Sequence, residues 1–199
     1  MNKNGKIVLF TGLTASGKDE CQKILMEEYN ANPVVSFTTR PMRDGEVDGV
    51  NYHYTDKETF LDMVDTGIIF EYREYNTLVD NIPEKWYYGA SVNEVKEDRL
   101  NVVVVDTTGT RCFVEEFGKD RCIVIYVRTP HPEINRELCI KRKDYNQPEF
   151  DRRMTTDTPK YNAEFLNEYV DYLLVNQGDS LEQLFLEVTS LMKEIGINE

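Results

Sequence analysis

Residues 12–19 read Gly12-Leu13-Thr14-Ala15-Ser16-Gly17-Lys18-Asp19, which fits G-x-x-x-x-G-K, the pattern of a phosphate-binding loop. Glycines let successive backbone N–H groups converge on phosphate oxygens. A helix beginning at the end of the loop adds partial positive charge, and Lys18 bridges the terminal phosphates. The last position departs from the pattern. A Ser or Thr there would place a neutral hydroxyl on Mg²⁺, whereas Asp19 offers a carboxylate, directly or through water, and is expected to serve as a Mg²⁺ ligand or as a base just beyond the ion's ligands.

A second constellation follows at 36–52, Ser-Phe-Thr-Thr-Arg-Pro-Met-Arg-Asp-Gly-Glu-Val-Asp-Gly-Val-Asn-Tyr. Arg40 and Arg43 lie three apart beside a Gly turn and Tyr52. Arginine makes bidentate contacts to phosphate oxygens and a Tyr hydroxyl adds a donor, so this spacing suits a phosphate clamp.

These groups need rigid elements behind them. The apolar run 6–10 enters the Gly-rich loop and reads as a buried strand, and 18–29 has helical character. Residues 102–105 and 123–127 are continuous Val/Ile runs, as in strands buried on both faces. They imply an α/β fold with a parallel sheet flanked by helices. Residues 130–143 read as a surface helix, Thr158 before Pro159 as a helix start, and 172–176 as a last strand. Asp179 with Glu182 opens a final helix to about residue 195. The stretch 36–90 breaks this pattern. It is dense in Tyr, Arg and Gly, with strand-like flanks at 51–54 and 68–75 and a capping box of Thr55 with Glu58 for a helix to about residue 65. It reads as a small mixed α+β insertion, with Trp86 as a packing residue. The charged stretch 141–154 has the composition of a mobile flap.

The 38–52 segment closely resembles the signature of guanylate kinases, T-T-R-x-x-R-x-G-E-x-x-G-x-x-Y. Further landmarks follow in order: Phe70-Glu71, Tyr87-Tyr88-Gly89, Val104-Val105-Asp106 with Gly109, Arg142 and Arg153 in a lid, and Val175-Asn176 near an adenine pocket. The resemblance spans nearly the whole chain. It implies a single P-loop NTPase-type domain, with core 1–35, 91–135 and 159–199, a nucleoside-monophosphate-binding subdomain 36–90 and a lid 136–158. ATP would contact Gly12, Thr14, Ala15, Ser16, Gly17, Lys18, Asp19 and Asn176, with Mg²⁺. GMP or dGMP would contact Ser36, Arg40, Arg43, Tyr52, Glu71, Tyr88 and Asp106. Lys18, Arg40, Arg142 and Arg153 would spread positive charge over the transferring phosphoryl group. Guanine presents N1–H and N2–H donors, for which Glu71 and Asp106 are apt acceptors; adenine would leave a carboxylate unpaired.

The chain departs from the family at Ala90, where Ser or Thr is usual, at Val104, where a second acid is common, and in a longer 76–85 segment. Leu138 stands where many relatives carry Arg, a charge that Arg136 or Lys141 could supply. G-K-D also resembles kinases acting on ribose phosphates (a ribose 1,5-bisphosphate kinase) and phage deoxynucleoside monophosphate kinases. The intact Arg40 to Tyr52 signature and Glu71 favour an acceptor bearing a nucleobase. Guanylate-kinase-like scaffold domains that bind peptides without catalysis are a further alternative, but their loss of the loop lysine is not seen here.

Composition agrees with a folded cytoplasmic enzyme acting on small molecules. Of 199 residues, 40% are hydrophobic, with 12 Tyr and 9 Phe, enough for a substantial core. The net charge of -13 disfavours nucleic acid and anionic membranes as partners. No apolar run approaches the roughly 20 residues of a membrane span, and none follows the N-terminal lysines as in a signal peptide. Cys21, Cys112, Cys122 and Cys139 form no C-x-x-C pair and are expected as free, mostly buried thiols; His53 and His131 are too far apart to suggest a metal site. A monomer or homodimer is expected.

Overall fold

The computed structural model describes residues 5–43, 45–79, 82–141 and 145–198, the side chains of 77–79 and 82 excepted. In chain order the elements are β1 (Ile7–Thr11), α1 (Lys18–Glu28), β2 (Asn32–Pro33), β3 (Phe37–Thr38), β4 (His53–Tyr54), α2 (Lys57–Asp65), β5 (Ile69–Val79) and β6 (Ile82–Ser91). They continue with β7 (Asn101–Val104), α3 (Thr107–Phe117), β8 (Cys122–Arg128), α4 (Pro132–Ile140), α5 (Gln147–Asp157), α6 (Ala163–Tyr169), β9 (Tyr172–Val175) and α7 (Leu181–Ile195). They form two compact units, residues 33–96 and the remainder of the chain.

The larger unit holds a five-stranded sheet in the order β2-β7-β1-β8-β9, with β1 parallel to both β7 and β8, and β8 parallel to β9. All five residues of β1 are buried. A central strand covered on both faces cannot alternate apolar with polar, which is why Ile7 to Phe10 form an unbroken apolar run. Cys21 and Leu25, one helical turn apart on α1, join this core beside Phe10 and Ile125, as do Val188 and Met192 of α7. Leu25 is fully buried, so Leu25→Ala would cost about 2–5 kcal/mol.

The smaller unit is a four-stranded sheet, β4-β3-β6-β5, dominated by the long β5–β6 antiparallel hairpin. Its separate core is Phe60 of α2 with Ile69 and Tyr87. Gly89 is required here: a Cβ would lie 2.8 Å from the Glu71 carbonyl and 2.9 Å from Phe60 Cζ.

Four local expectations are corrected. Asp56, not Thr55, caps α2, its carboxylate accepting from Thr59 N at 2.9 Å. Ser180, not Asp179, caps α7 through Gln183 N. No regular α-helix starts at Thr158: residues 158–160 form a short 3-10 turn, Thr158 donates its hydroxyl back to Met154 O, and α6 starts after Asn162, whose side chain accepts from Phe165 N. In the charged 141–154 stretch, 147–154 belong to α5, with Phe150 buried, while 142–144 lie outside the described residues. In the first two cases an adjacent residue with an equivalent side-chain acceptor took the cap. All four cysteines are free; Cys21 and Cys122 are buried.

Candidate active site

The phosphate loop leaves β1 at Thr11 and enters α1 at Lys18. Gly12 adopts φ 148°, and a Cβ there would sit 2.1 Å from the Val127 carbonyl oxygen of β8; no larger residue fits. Gly17 is left-handed at φ 99° and caps α1, with Asn176 Nδ2 2.5 Å from where its Cβ would be. Ala15, at φ 56°, takes the same region without glycine's freedom, a strain located in the middle of the loop.

Neutral side chains brace this loop. Asn176, buried just beyond β9, donates Nδ2–H to Ser16 O at 3.0 Å and accepts from Gly178 N at 3.0 Å. Asn135 of α4 donates to Thr14 O at 2.9 Å, and its own oxygen accepts from Thr129 Oγ1. Tyr161 accepts from Gly12 N at 2.9 Å and donates to Gly12 O at 3.1 Å, with Thr11 Oγ1 3.0 Å away. Lys18 Nζ donates to Leu13 O at 2.7 Å, folding the ammonium back over the loop. Asp19 is exposed in the first turn of α1.

The acceptor-type residues in the smaller unit are held differently. Arg40 is 4% exposed; its guanidinium donates to both oxygens of Glu46 at 2.9 and 2.7 Å, and to Pro41 O at 2.7 Å. Glu46 also accepts from Arg43 N at 2.7 Å and Tyr54 OH at 2.8 Å. The Arg40 hydrogen bonds, aided by the Arg43 amide, hold the Glu46 carboxyl down at about 2, and Glu46 in turn raises Arg40. Arg40 lies 5.4 Å from the ring centre of Tyr52, which meets Tyr88 edge-on at 5.7 Å. Burial raises Tyr52, with Tyr88 adding to the effect, so its hydroxyl stays protonated and able to donate. The Arg43 side chain is exposed. Threonine hydroxyls fix the strand leading to Arg40: Thr38 Oγ1 donates to Tyr87 O and accepts from Arg40 N, and Thr39 Oγ1 accepts from Tyr87 N.

Glu71 is paired with Arg73 at 2.7 Å, and Ala90 lies opposite it on β6. Ser36 is half-buried, its carbonyl accepting from His53 N at 2.9 Å. Arg40, Arg43, Tyr52 and Tyr88 therefore share one region of the smaller unit with Glu46 and Tyr54. Asp106 belongs to the other unit, where it caps α3 by accepting from Thr108 N and Gly109 N. Arg153, exposed on α5, is tied to Glu149 at 2.7 Å, alongside Arg152. Arg142 lies outside the described residues. A cavity of about 610 Å³ in the smaller unit is lined by Lys57, Lys85 and Trp86 among others, and by none of the acceptor residues expected from sequence.

Three bracing residues escaped the sequence reading. Glu46 stood in plain view within the signature, as the glutamate following the Gly turn. Asn135 and Tyr161 carried no such signal: they lie 121 and 149 positions from the loop residues they hold.

Comparison with known proteins is consistent across sequence and fold. The family model described as guanylate kinase matches residues 4–195. A guanylate kinase of Helicobacter hepaticus is 31% identical over 179 residues, covering 86% of this chain and 82% of that protein. One from Symbiobacterium thermophilum is 31% identical over 193 residues, covering 94% and 84%. A crystal structure of guanylate kinase from Anaplasma phagocytophilum shares the fold, with a TM-score of 0.61 at 21% identity, covering 98% of this chain and 88% of that one.

Proposed function

The chain belongs to the guanylate kinase family, and from that premise we propose that it is an ATP-dependent phosphotransferase that converts GMP to GDP. The observation that carries this reading is the family match over 4–195, which takes in both the phosphate loop with Lys18 and the Arg40–Tyr52 clamp. The same clamp fits dGMP.

On the donor side, the amides of 12–18 and the N-terminus of α1 receive the phosphates of ATP. Lys18 exchanges its contact with Leu13 O for the terminal phosphates. On the acceptor side, Arg43 and the hydroxyls of Tyr52 and Tyr88 bind the phosphate of GMP, with Arg40 fixed among them, and Glu71 receives guanine's donors. The acceptor is already an anion at its attacking oxygen, so transfer requires positioning and charge stabilisation rather than a strong base. Arg153, once released from Glu149, adds positive charge, as Arg142 would by the family pattern.

Mg²⁺ fits the residues present. Among the described residues no group of three or more His, Cys, Asp or Glu could hold an ion alone. The exposed Asp19 carboxylate, next to Lys18, matches an ion bound by one carboxylate and substrate phosphates. When bound, the ion neutralises charge developing between the terminal phosphates.

The test is a coupled assay of ADP release with GMP, dGMP, AMP, dTMP and ribose 1,5-bisphosphate. GMP should give the highest kcat/KM, dGMP should be accepted, and AMP should fall at least about a hundredfold lower because adenine lacks the N1–H and N2–H donors that guanine offers to Glu71. A preference for the sugar bisphosphate or dTMP would reject the proposal. No helix among the described residues is long and apolar enough to cross a membrane.

A further inference from the structure

Gly12, the first residue of the phosphate loop, is enclosed on several sides. Its α-carbon abuts the Val127 carbonyl, and both its N–H and its C=O are taken by a single hydroxyl, that of Tyr161. That hydroxyl has one proton and two lone pairs. It donates to Gly12 O, accepts from Gly12 N, and its remaining lone pair faces Thr11 Oγ1 at 3.0 Å. The Tyr161 ring is itself held, stacked on Tyr126 of β8 at 5.2 Å and edge-on to Phe165 of α6 at 5.7 Å. Burial pushes the phenol up to about 12, so it remains a protonated donor across the working range. Tyr161 follows directly on the turn 158–160 that ends α5, the helix bearing Arg153.

We propose that Tyr161 is a positioning residue of the donor site: its hydroxyl sets the direction in which the chain enters the phosphate loop, and it anchors the C-terminal end of the arginine-bearing helix to that loop. The inference rests on the reading of 12–19 as the ATP site. The amides of 13–18 can converge on phosphate only if the residue before them is fixed in orientation. Gly12, at a backbone angle that glycine tolerates best, does not fix itself. Without the hydroxyl, the Gly12 N–H and C=O both lose their partner and the entry peptide is free to turn.

The experiment compares full-length wild type with Tyr161→Phe, which keeps the ring and removes only the hydroxyl. ADP and GMP affinities are measured separately by calorimetry, and KM for ATP and GMP in the coupled assay. Loss of neutral hydrogen bonds at one residue should weaken ADP binding and raise KM for ATP by about two- to tenfold, leaving GMP affinity within twofold. Unchanged ADP affinity, or equal weakening of ADP and GMP, would overturn the proposal, the latter because a merely structural role affects both sites. If Tyr161→Phe does not fold, amide hydrogen exchange of the wild type decides: the Gly12 N–H should be protected by the Tyr161 hydroxyl, and exchange at the free-amide rate would overturn the proposal. If wild type binds ADP but does not phosphorylate GMP, the proposed activity fails while ADP affinity still decides the role of Tyr161. If wild type does not bind ADP, both fall.

Discussion

The phosphate loop and the arginine clamp, both proposed to serve phosphate, are held by opposite means. The loop is fixed by the amides of Asn176 and Asn135 and the hydroxyl of Tyr161, all neutral, acting on backbone atoms. The clamp is fixed by an ion pair between buried Arg40 and half-buried Glu46, beside Tyr52 and Tyr54. The difference follows from what each must leave available. A loop that binds through its own N–H groups needs its carbonyls braced without adding charge that would compete with phosphate. A clamp that binds through a guanidinium needs a carboxylate to hold that cation in place when no ligand is bound, since an unpaired buried charge is costly. The bracing of the loop should therefore be indifferent to acid, and that of the clamp should not.

Removing the one cation of the loop gives the largest expected effect. Lys18→Ala should lower kcat on the order of a thousandfold with the unfolding midpoint unchanged, read by coupled assay and thermal melt. Retained turnover would mean that Lys18 does not act on phosphate. Next, Glu46→Gln should raise KM for GMP by about 10–100-fold while leaving KM for ATP alone, because charge-assisted hydrogen bonds to Arg40 are lost. Equal effects on both substrates would erase the contrast drawn above. Packing gives a third test: Gly89→Ala should destabilise the smaller unit by about 1–3 kcal/mol, through the clash with Glu71 O and Phe60, and show as an early step in urea unfolding.

Acid sharpens the comparison further. Glu46 titrates at about 2 when folded, below the ordinary glutamate value of 4.5. Its contribution is present above about pH 4.5 and is lost as pH falls toward 2. Glu149, held at about 2 by Arg152 and Arg153, adds a similar slope from the other unit, so the wild-type profile alone is ambiguous. The difference in stability between wild type and Glu46→Gln isolates the clamp: it should be full at pH 6 and vanish near pH 2. A difference that does not change with pH would deny the ion pair its role. The smallest effect is expected at Asp19: Asp19→Ser should shift the Mg²⁺ concentration for half-maximal rate by about three- to tenfold, with KM for GMP unchanged.

Much of this arrangement was readable from the chain. Continuous apolar runs at 6–10, 102–105 and 123–127 announced central strands because two-sided burial leaves no room for polar alternation. The loop and the clamp were legible because each is local, its geometry written in consecutive residues. Helix caps were displaced by one position at Asp56 and Ser180, since neighbouring acceptors compete for the same amide and only the backbone angles decide between them. What sequence could not show is long-range bracing. Nothing near Tyr161 refers to Gly12, and nothing near Asn135 refers to Thr14; such contacts exist only after the sheet has brought distant segments together. Strand β6 was not foreseen, nor the extension of β5 past Tyr75, because Pro83-Glu84-Lys85 and Gly89-Ala90 interrupt the aromatic alternation that marks the start of β5.

Trp86, the only tryptophan of the chain, lies on β6 within the smaller unit, its indole N–H enclosed and without a hydrogen-bond partner among the described residues. The protein thus carries a built-in optical reporter confined to one of its halves. Emission excited at the red edge of the indole band will follow the clamp-bearing sheet and disregard the loop-bearing one. An enclosed N–H with nothing to bond to should emit toward the blue and shift when water reaches it.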